Sequence, residues 1–133
     1  MSTLSADDLR TIAKQLHDVG TATGQFRLDR IHDGAALEDP GIVQLLGWQF
    51  SLLGQSSSFA LQAASVTLTD ADRAAVAIKT ATGDANAAID KADTINKVVT
   101  IASSVTVLVA ATMTGNMEQI FSAAGGVKTA ITG

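Results

Sequence analysis

Residues 69–117 read TDADRAAVAIKTATGDANAAIDKADTINKVVTIASSVTVLVAATMTGNM, and the fold is decided by how this stretch is parsed. Thr69 followed by Asp72 resembles a capping box with Asp in the Glu position, and the carboxylates of Asp70 and Asp72 suit the positive end of a helix. Ala71, Ala74, Ile78, Ala81, Ala85, Ala88, Ala92, Ile95, Val99 and Ala102 then recur in alternating steps of three and four. That is an a/d heptad seam. Asp72, Arg73, Lys79, Asn86, Asp90, Asp93 and Lys97 fall off it. Asp93 and Lys97 form an i,i+4 pair in the favourable orientation. Alanine buries little area, so no single seam contact contributes much at about 25 cal/mol per Å². Small residues do let two helix backbones approach closely. The seam therefore suits either a partner helix within the chain or a helix of another molecule. Gly83 lies off the seam and costs about 1 kcal/mol relative to alanine, which marks a place for a bend.

After Lys97 no charge appears until Glu118. About 20 uncharged residues match the length of a bilayer-spanning helix. Serine and threonine dilute the tract, and no Trp or Tyr anchors flank it. Three readings stand: a buried core helix, a conditional membrane segment centred on Val105, Val107, Leu108 and Val109, or a strand pair favoured by β-branched valine and threonine.

Composition narrows the function classes. The 133 residues are 47% hydrophobic and only 17% charged, with one proline, no tyrosine and 4% aromatics. The length suits one domain with a sizeable core. The scarcity of aromatics argues against an all-β sandwich and against a base-stacking platform. A net charge of −4 disfavours nucleic acid, whose binding needs clustered Lys and Arg. Arg27 and Arg30 are the one local basic pair, and Asp29 and Asp33 neutralise them. With no cysteine, disulfides and thiolate metal sites are excluded. The N-terminus has neither a basic nor an apolar signal region. A cleavable signal peptide is therefore not expected, leaving a cytoplasmic location or export by a signal-independent route.

Along the chain, Ser5 with Asp8 marks a helix start, and Leu4 and Leu9 occupy the two staple positions. Leu9, Ile12, Ala13, Leu16 and Val19 follow at helical spacing. Gly20 and Gly24 either loosen this helix or bend it. The polar run Arg27–Gly34 leads to a loop, and Asp39 before Pro40 is a second start signal. From Gly41 to Thr69 the chain is again uncharged. Ile42, Leu45, Leu46, Gln49, Leu53, Ser56, Ala60 and Ala64 mark one face, while Val43, Phe50, Leu52, Phe59, Leu61 and Ala63 widen the apolar arc. Such a helix is normally central in a bundle. Gln44, Gln49, Gln55 and Gln62 need partners or water there, and Trp48 reads as a core or interface anchor. Asn116 caps a short last helix that Gly125-Gly126 is expected to end.

Catalytic patterns are sparse. His17-Asp18 and His32-Asp33 hold the two histidines. On one continuous helix the imidazoles lie about 22 Å apart, too far to share a metal, and only a hairpin at Gly20–Gly24 would bring them together. Asp29–Gly34 begins like a calcium loop, but Ile31 and Pro40 stand at its third and twelfth positions. No Walker lysine or dinucleotide fingerprint occurs, and Ser56, Ser57 and Ser58 lack a nucleophile-elbow frame.

The sequence thus predicts an all-α fold, an antiparallel helical hairpin or small bundle. Its helices are expected at about 6–32, 40–66, 70–113 and 117–124, with one long Ala-rich heptad helix over about 69–113. No enzyme activity, cofactor or metal is expected. The expected role is interaction: self-association into a homo-oligomer, or capture of a helical protein partner. The expected contacts are the seam residues Ala74, Ile78, Ala81, Ala85, Ala88, Ala92, Ile95, Val99 and Ala102, and Leu45, Leu46, Trp48 and Leu53 on the apolar helix. The alternative is a soluble chain that inserts into a membrane through the charge-free tracts 41–69 and 98–117.

Overall fold

A computed structural model describes residues 1–133 as five helices without a strand: α1 (Ala6–His32), α2 (Pro40–Ala63), α3 (Ala71–Asp90), α4 (Ile95–Thr114) and α5 (Met117–Thr132). Each helix begins on a polar side chain that satisfies an early backbone N–H, as helix starts require. Ser5 accepts from the Asp8 N–H, Asp39 from Gly41, Thr94 from Lys97 and Asn116 from Gln119. At α3 the cap is Asp70, which accepts from the Arg73 N–H at 3.1 Å, one residue later than the Thr69 start read from the sequence.

The helices alternate in direction. Gly20 of α1 lies against Leu52 and Leu53 of α2, and Gly24 against Gln49, so α1 and α2 are antiparallel. The Asp8–Lys79 and Gln15–Thr82 hydrogen bonds run in the same sense along α1 and α3, which are therefore parallel. Gly41 sits near Ile95, and Thr67 near Gly115, placing α2 and α4 side by side in parallel. The tight turn at Gly115-Asn116 folds α5 back on α4, where Lys97 Nζ donates to the Ile131 carbonyl at 2.6 Å. Around the bundle α2 touches only α1 and α4, and α5 only α3 and α4.

One contiguous core draws on all five helices, with Phe59, Ile12, Leu16, Ile42, Leu45, Leu52, Ile78, Ile101, Leu108 and Ile120 among its fully buried side chains. α1 runs unbroken through Gly20 and Gly24, and both glycines are buried where α2 crosses closely.

Two expectations are corrected. The single helix over 69–113 is two helices, broken at Lys91–Thr94. A straight helix of that length would extend about 66 Å and leave Val98, Ile101, Val105 and Leu108 without a core. Instead these four are fully buried. The break is held locally by the Thr94 cap and at long range by Arg30, whose guanidinium donates to the Asp93 carbonyl. Lys97 consequently reaches Ile131 rather than Asp93. The last helix also does not stop at Gly125-Gly126 but continues to Thr132. Val127 is fully buried and Ala130 nearly so, and that burial outweighs the roughly 1 kcal/mol cost of each helical glycine.

The Asp8–Lys79 pair, 2.8 Å apart, ties α1 to α3. The hydrogen bond from Lys79 holds the Asp8 carboxyl below its ordinary value; partial burial opposes this, and the hydrogen bond with Ser5 adds to it. A depressed carboxylate stabilises the fold above its unfolded pKa, and that contribution is lost as pH falls through the folded value. Asp8→Asn is thus expected to lower stability at pH 7 by about 0.5 kcal/mol, the scale of a partly exposed pair. Urea melts should show the deficit shrinking toward zero as pH falls below about 3.9. A deficit unchanged at acid pH would assign the loss to helix capping rather than to the ion pair.

Candidate interaction surface

The surface is built on α2. Its uncharged sequence places no polar limit on how it rotates, and packing against α1 and α4 settles the matter. Ile42, Leu45, Leu52, Phe59 and Ala63 turn inward. The opposite side exposes Val43 (54%), Phe50 (63%) and Leu61 (85%). Gly47, Gly54 and Ser57 are exposed between them. These six positions, 43, 47, 50, 54, 57 and 61, follow one another in strict steps of four and three. At about 100° per residue they fall within roughly 80° of arc, a narrow seam of coiled-coil type. Neither Gly47 nor Gly54 has anything within 4 Å of the position a Cβ would take. Half-buried Leu46, Leu53 and Ala60 border the seam on one side, and Gln44, Ser51 and Ser58 on the other. No charged side chain lies on α2.

The residues singled out from the sequence are distributed differently. Ala74, Ile78, Ala81 and Ala85 are buried in α3, and Ala88 is half-buried. Half-buried Ala92 lies in the connection to α4, Ile95 and Val99 are half-buried on α4, and Ala102 is fully buried. The heptad seam is therefore divided by the break and largely occupied by helices of the same chain. On α2, Leu45 is fully buried, while Leu46, Trp48 and Leu53 are half-buried. Of the membrane tract, Val105, Leu108 and Val109 are buried and Val107 is 58% exposed. α4 is long and apolar enough to cross a membrane by length and composition, and 44% of its apolar stretch is buried in the bundle.

A second feature is an open groove between α4 and α5, lined by residues such as Thr100, Ser103, Ser104, Ala110, Ser122 and Gly126. Its hydroxyls are largely occupied within their own helices: Thr100 donates to the Asn96 carbonyl, Ser103 to Thr100 and Ser104 to Ile101. Lys97 at the rim is held by Ile131. The groove gathers no histidine, and its two charged residues are Lys97 and Glu118. His17 and His32 are exposed on α1.

In the sequence, Val43, Phe50 and Leu61 read only as a broadening of the apolar arc. The signal that separates them is the regular placement of glycine between them, at 47 and 54.

Compared with known proteins, the chain matches no family model, no curated protein and no solved structure.

Proposed function

We propose that the protein is a non-enzymatic helical interaction module that associates with further copies of itself through the outer face of α2. The observation that carries this reading is an uncharged helix face with three large apolar side chains exposed in heptad register. Isolated exposed apolar residues are ordinary, whereas exposed apolar residues aligned in one register on a charge-free helix face fit a contact surface. The chain as a whole is acidic. The absence of charge on α2 removes the like-charge repulsion that two copies would otherwise meet there.

The test is the mass in solution of the wild-type chain, Phe50→Asp and Leu61→Asp. Both side chains point away from the core, so each variant is expected to keep wild-type helicity, with stability within about 0.5 kcal/mol. Light scattering should give a wild-type mass above 13.6 kDa that rises with concentration, and a single-chain mass for both variants. A single-chain wild-type mass up to about 1 mM, an association weaker than about 4 kcal/mol, would end the self-association reading.

A further inference from the structure

We infer that α2 of one copy pairs with α2 of a second in antiparallel register about Leu52, closing a two-fold dimer; this rests on the self-association reading above. The six seam positions pair off symmetrically about residue 52. When two copies run antiparallel about that centre, Val43 faces Leu61 of the second copy. Gly47 then faces Ser57, and Phe50 faces Gly54. Every layer pairs an a position with a d position, the alternation that antiparallel helices require. Each phenyl ring meets the open backbone of a glycine, twice by symmetry. The small Gly47–Ser57 layers let the backbones approach.

The two glycines support a closely approaching second helix independently of the apolar side chains, and the fit of Phe50 on Gly54 about residue 52 makes that helix α2 of another copy. Each lies mid-helix, where glycine costs about 1 kcal/mol relative to alanine. Gly20 and Gly24 of α1 are accounted for by the crossing of α2, but Gly47 and Gly54 have no neighbour within the chain that excludes a Cβ. A close crossing by another backbone accounts for both. The exposed Gly125 and Gly126 of α5 are equally unneighboured, yet the exposed residues around them include Glu118, Gln119, Lys128 and Thr129 and no large apolar side chain. The α2 seam alone combines knobs and holes. Its contact strip is about 27 Å long and about 10 Å wide, smaller than the roughly 800 Å² per partner of a standard stable interface. The dimer is therefore a reversible one, not an obligate one.

Single cysteines in this cysteine-free chain read the register directly. Gly47→Cys and Ser57→Cys leave Phe50 and Gly54 in place and alter exposed positions. Under mild oxidation an equimolar mixture of the two variants should give a cross-linked heterodimer. Neither variant alone should cross-link, because each cysteine then lies about 15 Å along the axis from its own copy, beyond disulfide reach. Cross-linking of Ser57→Cys with itself would indicate parallel helices and overturn the inference. Wild-type mass of two chains with no cross-link in the mixture would overturn it as well, while leaving self-association standing. A single-chain mass would remove both. Gly54→Ala adds a signature that a purely structural glycine lacks. It should raise the thermal midpoint of the monomer and weaken the dimer at least tenfold. Tighter association in that variant would contradict the phenyl-on-glycine layer.

Discussion

Phe59→Ala is expected to remove about 3–5 kcal/mol of folding stability, a large share of the roughly 5–15 kcal/mol that a domain of this size possesses. Phe59 is the largest fully buried side chain in the protein. It lies on the inner face of α2, and α2 is held only by α1 and α4. Truncation leaves a cavity that the rigid turns of α2 cannot collapse into. Urea melts should show the midpoint falling with an unchanged slope, since the surface exposed on unfolding barely changes. Phe50 supplies the internal control. It stands on the same helix but is 63% exposed, so Phe50→Ala should change the stability of the dilute monomer by no more than about 0.5 kcal/mol. Equal losses at the two positions would mean that α2 is rotated away from the orientation described.

That contrast also locates what the sequence discloses and what it hides. Helix starts are legible wherever a short polar side chain precedes an apolar run, as at Ser5, Asp39 and Asn116, because capping is local chemistry. The interruption at Lys91–Thr94 is not. The alanine seam passes through it without a change of period, and its decisive partner, Arg30, lies 63 residues away from Asp93 in the chain. The continuation of α5 past Gly125-Gly126 is hidden for the same reason, since only the burial of Val127 and Ala130 against the bundle outweighs two weak helix formers. On α2 the difficulty is different in kind. A helix without a charged face has no polar side to set against its apolar one. Periodicity therefore does not say whether Leu45 and Leu52 or Val43 and Phe50 face out. Leu46, Trp48 and Leu53 stand out in the sequence by size, and the bundle leaves all three half-buried on its flank. The glycine spacing at 47 and 54 is present in the sequence, but its meaning depends on knowing that no helix of the same chain crosses there.

Gly115→Val should cost about 3 kcal/mol, the largest effect expected for a residue outside the core. Gly115 ends α4 with φ +70°, the left-handed conformation that closes helices and that β-branched residues adopt only under strain. Backbone strain alone accounts for about 1–2 kcal/mol. The remainder comes from crowding: a Cβ here would stand 2.8 Å from the Thr67 carbonyl oxygen and 3.3 Å from a methyl of Val66. Those residues belong to the connection between α2 and α3, which cannot retreat freely. Its next residue, Leu68, is fully buried and exchanges backbone hydrogen bonds of 2.9 and 2.7 Å with Ser2. Moving the Thr67 carbonyl would therefore disturb the N-terminal segment as well as the α4–α5 turn. Gly34 separates the two contributions. It also has a positive φ, +110°, farther from the left-handed basin than Gly115, but nothing lies within 4 Å of its Cβ position, so Gly34→Val carries at least as much strain without the clash. Thermal or urea unfolding should place Gly115→Val at least about 1 kcal/mol below Gly34→Val. If Gly115→Val is the more stable of the two, the close contact between Gly115 and the Thr67 carbonyl does not constrain the bundle, and strain at the turn is the whole effect.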